Sequence, residues 1–488
     1  MASVLPSNLS FFMSRMQGVS TSHFKINPQT SGDVGANRIL RFEVPSNTIV
    51  NFRSLRLFMN VECSNSTNTK ATSLPPDFSS LIERCSCYVG GVLVANGFNG
   101  YNTLVHAKAA LQGSKCGPLG HPEMVRARRY HSFLDSGVTN ASLSASTADT
   151  CIETYAGDSA GNDYFCIDNF EGLLGTIEPQ NLDTGLIGTV VIEIALADNT
   201  VCSVSASRDL PAVQSTDVYS VTGTAGFDFA ASSPGTPSYT LKNVNMQVEV
   251  LSLATNVLDT IVEQRIGQIG YLSLPFKNYF SFSNTHDTTT RFNVNSASWD
   301  RCWFAFRDTG FANVNPPVRI KGYRIADAVA TTSGVCEYDG GGILNINGEK
   351  YKPTYFNFRE NKGTSGTPAL TNSKTASTYQ LQINSASVPN YKLSAPELLA
   401  LSMNSLDYYD KNHKITLHQY KCNYFVGCFR FCLPDSDYSR LGSGIDCRGV
   451  SSSCSLNTTG TASSNVTIFA ECTSELRIGA GRQIEVIV

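Results

Sequence analysis

Apolar and polar residues alternate with a period of two over much of the chain. Leu40, Phe42 and Val44 alternate with Arg41 and Glu43, and Leu55, Leu57, Met59 and Val61 alternate with Arg56, Phe58 and Asn60. That period predicts strands with one face turned inward. Further strands are predicted over 80–85, 188–196 and 271–282, in the aromatic stretch 420–433, and at the end, where Ile484, Val486 and Val488 alternate with Gln483 and Glu485. Residues 239–251 read as a strand pair. Helical signals are fewer. Leu104 to Leu111 is followed by Gly113, and Leu258, Ile261, Val262 and Arg265 share one helical face before Gly267. Ser394-Ala395-Pro396-Glu397 has capping-box spacing with proline near the helix start.

The strand pattern occurs twice. Arg41-Phe42-Glu43-Val44 precedes the strand at 55–61, and Arg291-Phe292-Asn293-Val294 precedes Cys302-Trp303-Phe304-Ala305-Phe306, an offset of 291 − 41 = 250 in a chain of 488 residues. Gly90-Gly91 and Asn347-Gly348 are two-residue hairpin signals, 347 − 90 = 257 apart. Two all-β domains of like topology are expected. Their bounds are read as 36–254 and 269–488, with an arm over 1–35 and a connecting helix over 255–268. About eight strands per domain point to jelly rolls, that is, Greek-key β-sandwiches with short helices and long loops at 114–165 and 205–237.

Composition narrows the function. Charged residues make up 16% of the chain, below the usual share of about 25%, and 26 Phe and 20 Tyr stand among many Ser, Thr, Asn and Gly residues. Low charge suits a surface covered by neighbouring copies. A net charge of −3 gives no field for nucleic acid. The one basic cluster, Arg126-Ala127-Arg128-Arg129, reads as a solvated loop or a subunit contact. Fifteen cysteines without a C-x-x-C read as buried thiols rather than a disulfide framework or zinc site. The N-terminus carries Phe11, Phe12, Met13 and Met16 in too short a run for a signal peptide. The sequons at Asn8, Asn65, Asn140, Asn457 and Asn465 then read as by-products of composition.

Catalytic patterns fail one by one. His413 and His418 lie five apart beside Asp407 and Asp410, which fits neither a helical zinc pair nor a convergent base. Asp435-Ser436-Asp437 lacks the terminal Glu of a calcium loop. Gly340-Gly341-Gly342 and Gly479-Ala480-Gly481-Arg482 lack the Lys-Ser/Thr of a phosphate loop, and His121-Pro122-Glu123 has no metal partners. No catalytic, cofactor-binding or metal residue is nominated, and no enzyme is expected.

The segment Phe42-Glu43-Val44-Pro45-Ser46-Asn47-Thr48-Ile49-Val50-Asn51-Phe52-Arg53-Ser54-Leu55-Arg56-Leu57-Phe58 resembles the major capsid proteins of polinton-like viruses and virophages. So do Leu81-Ile82-Glu83-Arg84, Tyr88-Val89-Gly90-Gly91, Gly97-Phe98-Asn99-Gly100-Tyr101-Asn102, Leu433-Pro434-Asp435-Ser436-Asp437-Tyr438-Ser439-Arg440 with Gly444-Ile445-Asp446, and the closing stretch from Glu471 to Glu485. These segments recur across most of the chain, with unmatched loops between them. The resemblance implies the double jelly-roll lineage shared with adenovirus hexon, a homotrimer of pseudo-hexagonal outline, and tiling of an icosahedral shell. It also implies neighbouring capsomers, penton and minor capsid proteins as partners, and synthesis and folding inside a host cell. The arm would touch an internal membrane or a neighbouring subunit. Two other functions stay open at this level: a virion spike or vertex protein, and a secreted carbohydrate-binding β-protein.

Overall fold

The structure is a computed structural model that describes residues 20–30, 32–65, 72–73, 78–95, 99–112, 164–168, 170–205, 237–252, 264, 266–307, 314–315, 337–338, 342–343, 355–356, 358, 377–384, 386–406, 417, 420, 425–433, 444–448, 453–459, 464–479 and 483–488. In the first half the strands are β1 (Ser20–Ile26), β2 (Val34–Gly35), β3 (Ile39–Glu43), β4 (Ile49–Asn65), β5 (Thr72–Ser73), β6 (Ile82–Val89), β7 (Val92–Ala95), β8 (Tyr164–Ile167), β9 (Asn181–Asp183), β10 (Val190–Leu196), β11 (Ser203–Ser205) and β12 (Pro237–Ser252). Helices α1 (Tyr101–Gln112), α2 (Leu173–Thr176) and α3 (Thr184–Ile187) lie between them. The second half holds β13 (Tyr271–His286), β14 (Thr289–Asn293), β15 (Trp299–Arg307), β16 (Val314–Asn315), β17 (Glu337–Tyr338), β18 (Gly342–Ile343), β19 (Thr378–Ile383), β20 (Ala386–Ser394), β21 (Val426–Arg430), β22 (Ser453–Thr459), β23 (Ser464–Gly479) and β24 (Ile484–Ile487), with helix α4 (Ala395–Asn404) after β20.

Four sheets carry the architecture. Sheet I runs β1-β12-β4-β8 and sheet II β3-β10-β6-β7; sheet III runs β13-β23-β15-β21 and sheet IV β14-β22-β19-β20. Substituting strand for strand in chain order turns the first pair into the second, so the halves are two jelly rolls of one topology. Phe42 and Phe292 fall on the equivalent strands β3 and β14, which share the same alternating burial. The equivalent hairpins join β6 to β7 and β19 to β20. Gly90 (φ 56) and Gly91 (φ 84) turn the first, where a β-carbon would cost strain. The second turns at Asn384 (φ 55), with Ile383 paired to Ala386. The expected partner turn, Asn347-Gly348, lies outside the described residues; the second domain's counterpart of Gly90-Gly91 comes later because a longer connection follows β15.

Other expectations are corrected. The arm read over 1–35 is, from Ser20 on, part of sheet I: Ser20–Ile26 pairs along its length with β12, and Val34–Gly35 pairs with it further on. The strand is polar because it is an edge strand, which is why its sequence shows no core-forming period. Residues 239–251 form one long strand rather than a pair, with an irregularity between Lys242 and Asn245 where Asn243 takes φ 51. Among the described residues of the stretch 420–433, only Val426–Arg430 is strand. Helical residues follow at 266–269, and Gly267 lies inside them; Gly270 (φ 90) closes the turn by donating to the Ile266 carbonyl at 2.7 Å. The capping box forms, with Ser394 N–H donating to Glu397 Oε2 at 2.7 Å.

Buried apolar side chains of the two sandwiches join in one continuous cluster. In the second, Phe304 and Phe306 from sheet III pack against Tyr379 of sheet IV and Phe425. Gly427 is required there, since a β-carbon on it would stand 2.0 Å from Phe304 Cζ. Consecutive jelly-roll strands alternate in direction, so the connections after β4, β7, β10 and β15 all leave the same end of their sandwich. At that end β5, β11 and β16 form a small sheet shared by both domains, which places the two loop ends side by side. At the other end Ile484 of β24 packs on the Gly90 turn.

Candidate functional site

The site built most deliberately is the junction between the sandwiches. Sheet III should present polar residues outward, and it does, but onto the first domain rather than water. Lys277 and Tyr279 on β13 pair across to Thr473 and Glu471 on β23, and Arg301 on β15 stands opposite Glu471. Asp300 is the extra residue of a bulge between Trp299 and Arg301, which re-aims its side chain. From the first domain, α1 brings Lys108, and the segment after β8 brings Glu171 and Thr176.

Two ionic clusters result. Lys108 Nζ donates to Glu171 Oε2 at 3.0 Å and to Tyr279 Oη at 2.7 Å, and lies 3.7 Å from Glu471 Oε2. Its ammonium also sits 4.9 Å from the ring centre of Tyr279 and 5.7 Å from that of Trp303. Glu471 receives Arg301 Nη1 on one oxygen and Trp303 Nε1, at 2.9 Å, on the other. Beside this, Lys277 Nζ donates to Asp300 Oδ2 and to Thr473 Oγ1, Thr473 donates to Asp300, and Ser298 Oγ donates to Asp300 Oδ1 at 2.8 Å. The Lys277 and Asp300 side chains are 2% and 0% exposed. Charges this deep depend on such hydrogen bonds and ion pairs to offset the cost of leaving water. Burial pushes the Glu471 carboxyl up, but Arg301, Lys108, Lys277 and the Trp303 indole outweigh it and hold the group well below the usual carboxylate range.

Backbone groups join in. Lys277 N–H donates to Thr176 Oγ1 at 2.9 Å, and Glu178 N–H donates to the Pro275 carbonyl at 3.1 Å. The segment around α2 therefore covers the free edge of β13, which would otherwise be open to pairing with another chain. Beside it lies a cavity of about 20 Å³ lined by Cys85, Tyr101, Glu171, Lys277 and Tyr279, room for about one water. Among the described residues no group of three or more His, Cys, Asp or Glu side chains is placed to hold a metal. The chemistry of the junction is cohesion: it fixes one sandwich against the other.

No residue of this junction stands out in the sequence. The signal available was Trp299-Asp300-Arg301-Cys302-Trp303, where two charges interrupt an aromatic strand, and Lys277 within Phe276–Tyr279. The segments weighed for catalysis (Asp407, Asp410, His413, His418, Asp435, Asp437, His121 and Gly340-Gly341) and the basic cluster Arg126–Arg129 lie outside the described residues, as do Phe11, Phe12, Met13 and Met16. Of the ten cysteines whose side chains the structure describes, nine are buried, and all ten are free thiols. Among the described residues no helix is long and apolar enough to cross a membrane.

No family model matches the chain, and no curated protein matches its sequence. Solved structures do. VP54 of PBCV-1, fitted as a crystal structure into a cryo-EM reconstruction of the virophage Sputnik, superposes with a TM-score of 0.52 at 10% identity, covering 97% of this chain and 98% of that one. A chain of the quasi-atomic model of the PBCV-1 virus capsid gives a TM-score of 0.50 at 11% identity, with the same coverage of 97% and 98%. The chain has the double jelly-roll fold of these capsid proteins. The match spans both sandwiches, so it includes their arrangement as well as each one alone.

Proposed function

We propose that the chain is a major capsid protein: a homotrimeric, pseudo-hexagonal capsomer without enzymatic activity that tiles an icosahedral virion shell. Full-length likeness to viral capsid structures supports the fold half of this proposal. The observation that carries the assembly half is an asymmetry between equivalent sheets. Sheet III is covered on its outer face by the first domain of the same chain, whereas six of the seven residues of β1 in sheet I are exposed. Repeating the same domain-to-domain contact from one chain to the next covers sheet I as well, and three chains supply six similar sandwiches. A contact of this head-to-tail kind ends only when a ring closes.

In this reading the domain boundary lies between β12, which ends at Ser252 in sheet I, and β13, which begins at Tyr271 in sheet III. Other capsomers, penton and minor capsid proteins are the partners in this proposal. The long connections, gathered at one end of the sandwiches, would clasp neighbouring chains or face away from the shell. The segment before Ser20 is assigned to assembly, in contact with a membrane or an adjacent subunit.

Light scattering on the purified chain tests the proposal. A trimer at micromolar concentration that forms hexagonal arrays on concentration is expected. An obligate interface of this kind commonly buries more than about 2,000 Å², so a chain that stays monomeric in low and moderate salt refutes the capsomer. Trimers that never form arrays would favour the spike or vertex role.

A further inference from the structure

Resting on the capsomer proposal, we infer that the open face of α4 packs on the outer face of sheet I of a second copy, with Glu397 set against Arg56. The contact of α1 with sheet III inside the chain supplies the template. α1 follows the hairpin of β6 and β7, and α4 follows the equivalent hairpin of β19 and β20. Aligning their first residues, Tyr101 and Ala395, brings Leu104 onto Leu398, both fully buried. Thr103 then falls on Glu397, and His106 on Ala400.

In α1 that face is covered by the second domain. Thr103 Oγ1 accepts from Arg307 Nη2 at 3.0 Å, and the His106 ring stacks on Phe356 with centres 3.8 Å apart. A β-carbon on Gly100, just before the helix, would lie 3.6 Å from the Phe469 ring. In α4 the same face is open, since Pro396, Glu397, Ala400 and Asn404 are all exposed. Both capping bonds of Glu397 use Oε2, which leaves Oε1 to meet a partner.

The internal repeat also defines the surface that receives α4. Asn51 is equivalent to Arg301, 301 − 51 = 250, so Glu249 matches Glu471 and His23 matches Tyr279. One row further, Ser281, Phe469 and Trp303 cross sheet III where Lys25, Gln247 and Arg56 cross sheet I. Beneath α1 that row carries two aromatic rings. On sheet I it carries two exposed cations, Lys25 and Arg56. A helix that fits there has to bring an acid where α1 brings Thr103, and α4 brings Glu397. Charge complementarity therefore selects the α4 of a second copy. Repeated from copy to copy, the contact is the head-to-tail kind that ends when a ring closes.

Charge reversal in the full chain tests the docking. Arg56→Glu would face Glu397 with a like charge, and Ala400→Arg would set a cation on the same helix face against Arg56. Both positions are exposed in the single chain, and far-UV circular dichroism checks that the variants fold. With a trimeric wild type, a dilution series in the analytical ultracentrifuge should show each variant's trimer weakened about tenfold or more. Combining the two should return it to within about threefold of wild type, because each change supplies the opposite charge to the other. An unchanged trimer in either single variant overturns this docking and leaves the capsomer standing. A double variant no tighter than the weaker single variant overturns the pairing of these faces. A monomeric wild type overturns the capsomer, and this contact with it.

Discussion

Sheets I and III have the same strand order and sit in the same place in their sandwiches, yet they differ in almost every outward residue. Sheet III runs Trp299 to Phe306 without one exposed position, and its outer face carries Lys277, Asp300, Arg301, Trp303 and Glu471 in closed ionic contact. At the corresponding place sheet I carries His23, Asn51 and Glu249, where Asn51 Nδ2 donates to Glu249 Oε2 at 3.2 Å in a half-buried setting. The same scaffold thus holds a carboxylate at one cross-strand position in two surroundings. The difference shows that covering a sheet's second face changes which side chains it must carry. Charges there have to be matched within the protein, while those on an open face can be matched by water or by another copy.

The comparison breaks most visibly at the buried lysine. Lys277→Met leaves the Asp300 carboxylate buried without its cation, and is expected to lower unfolding stability by about 3–5 kcal/mol. Lys25→Met on the open β1 is expected to change it by no more than about 0.5 kcal/mol. Denaturant midpoints of the two variants decide the matter. Equal, small shifts would show that the junction contributes little to cohesion.

Next comes the equivalent pair of glutamates under acid. Glu471 has a folded pKa held below its unfolded value, so its ionised form stabilises the fold above about pH 4.3. As pH falls below that point the unfolded chain takes up the proton first, and the contribution declines toward zero as the folded pKa is approached. Glu471→Gln should therefore cost about 1.5–3 kcal/mol near neutrality, the worth of hydrogen bonds to a charged group. Its deficit against wild type should narrow in acid. Glu249→Gln, on the open sheet, should cost no more than about 0.5 kcal/mol near neutrality. Melting curves from pH 3 to pH 7 for the three proteins provide the check; a deficit for Glu471→Gln that does not vary with pH removes the ionic account.

Much of this fold was legible from spacing alone. Phe42 and Phe292 sit on equivalent strands because period-two alternation reports a sandwich core, and the core is what the two halves share. The helix start at Ser394 was legible for a local reason, since a capping box is complete within four residues. The N-terminal edge strand was not, because an edge exposed on both faces needs no apolar period, and Ser20–Ile26 gains its place from hydrogen bonds to β12 rather than from burial. The second hairpin was missed for a different reason. A long connection after β15 moves it away from the repeat's spacing, and Asn384 announces a turn less clearly than Gly-Gly. The junction was hidden deepest, because its partners lie far apart in sequence: Lys108 meets Tyr279 across 171 positions.

The smallest effect is expected from thiol reagents, and it sharpens the contrast from the side of the core. Cys302, Cys428 and Cys472 stand on the strands of sheet III and Cys454 on sheet IV, and burial pushes the Cys302, Cys428 and Cys472 thiols up out of the range in which a reactive thiolate forms near neutrality. Cys85 on sheet II is only half-buried, yet burial of its sulfur pushes it up to about 12. Native protein at pH 7.5 should therefore show essentially no modification at these five positions over an hour, and full modification once denatured. Mass mapping of the modified residues reads the outcome. Early labelling confined to Cys85 would mean that sheet II opens locally while sheet III, sealed by the first domain, stays closed. Early labelling at Cys428, which pairs across from Trp303 and lies near Arg301, Lys108 and Glu471, would instead show that the junction opens in the native state, and the ionic contacts could then no longer be said to hold the two sandwiches together.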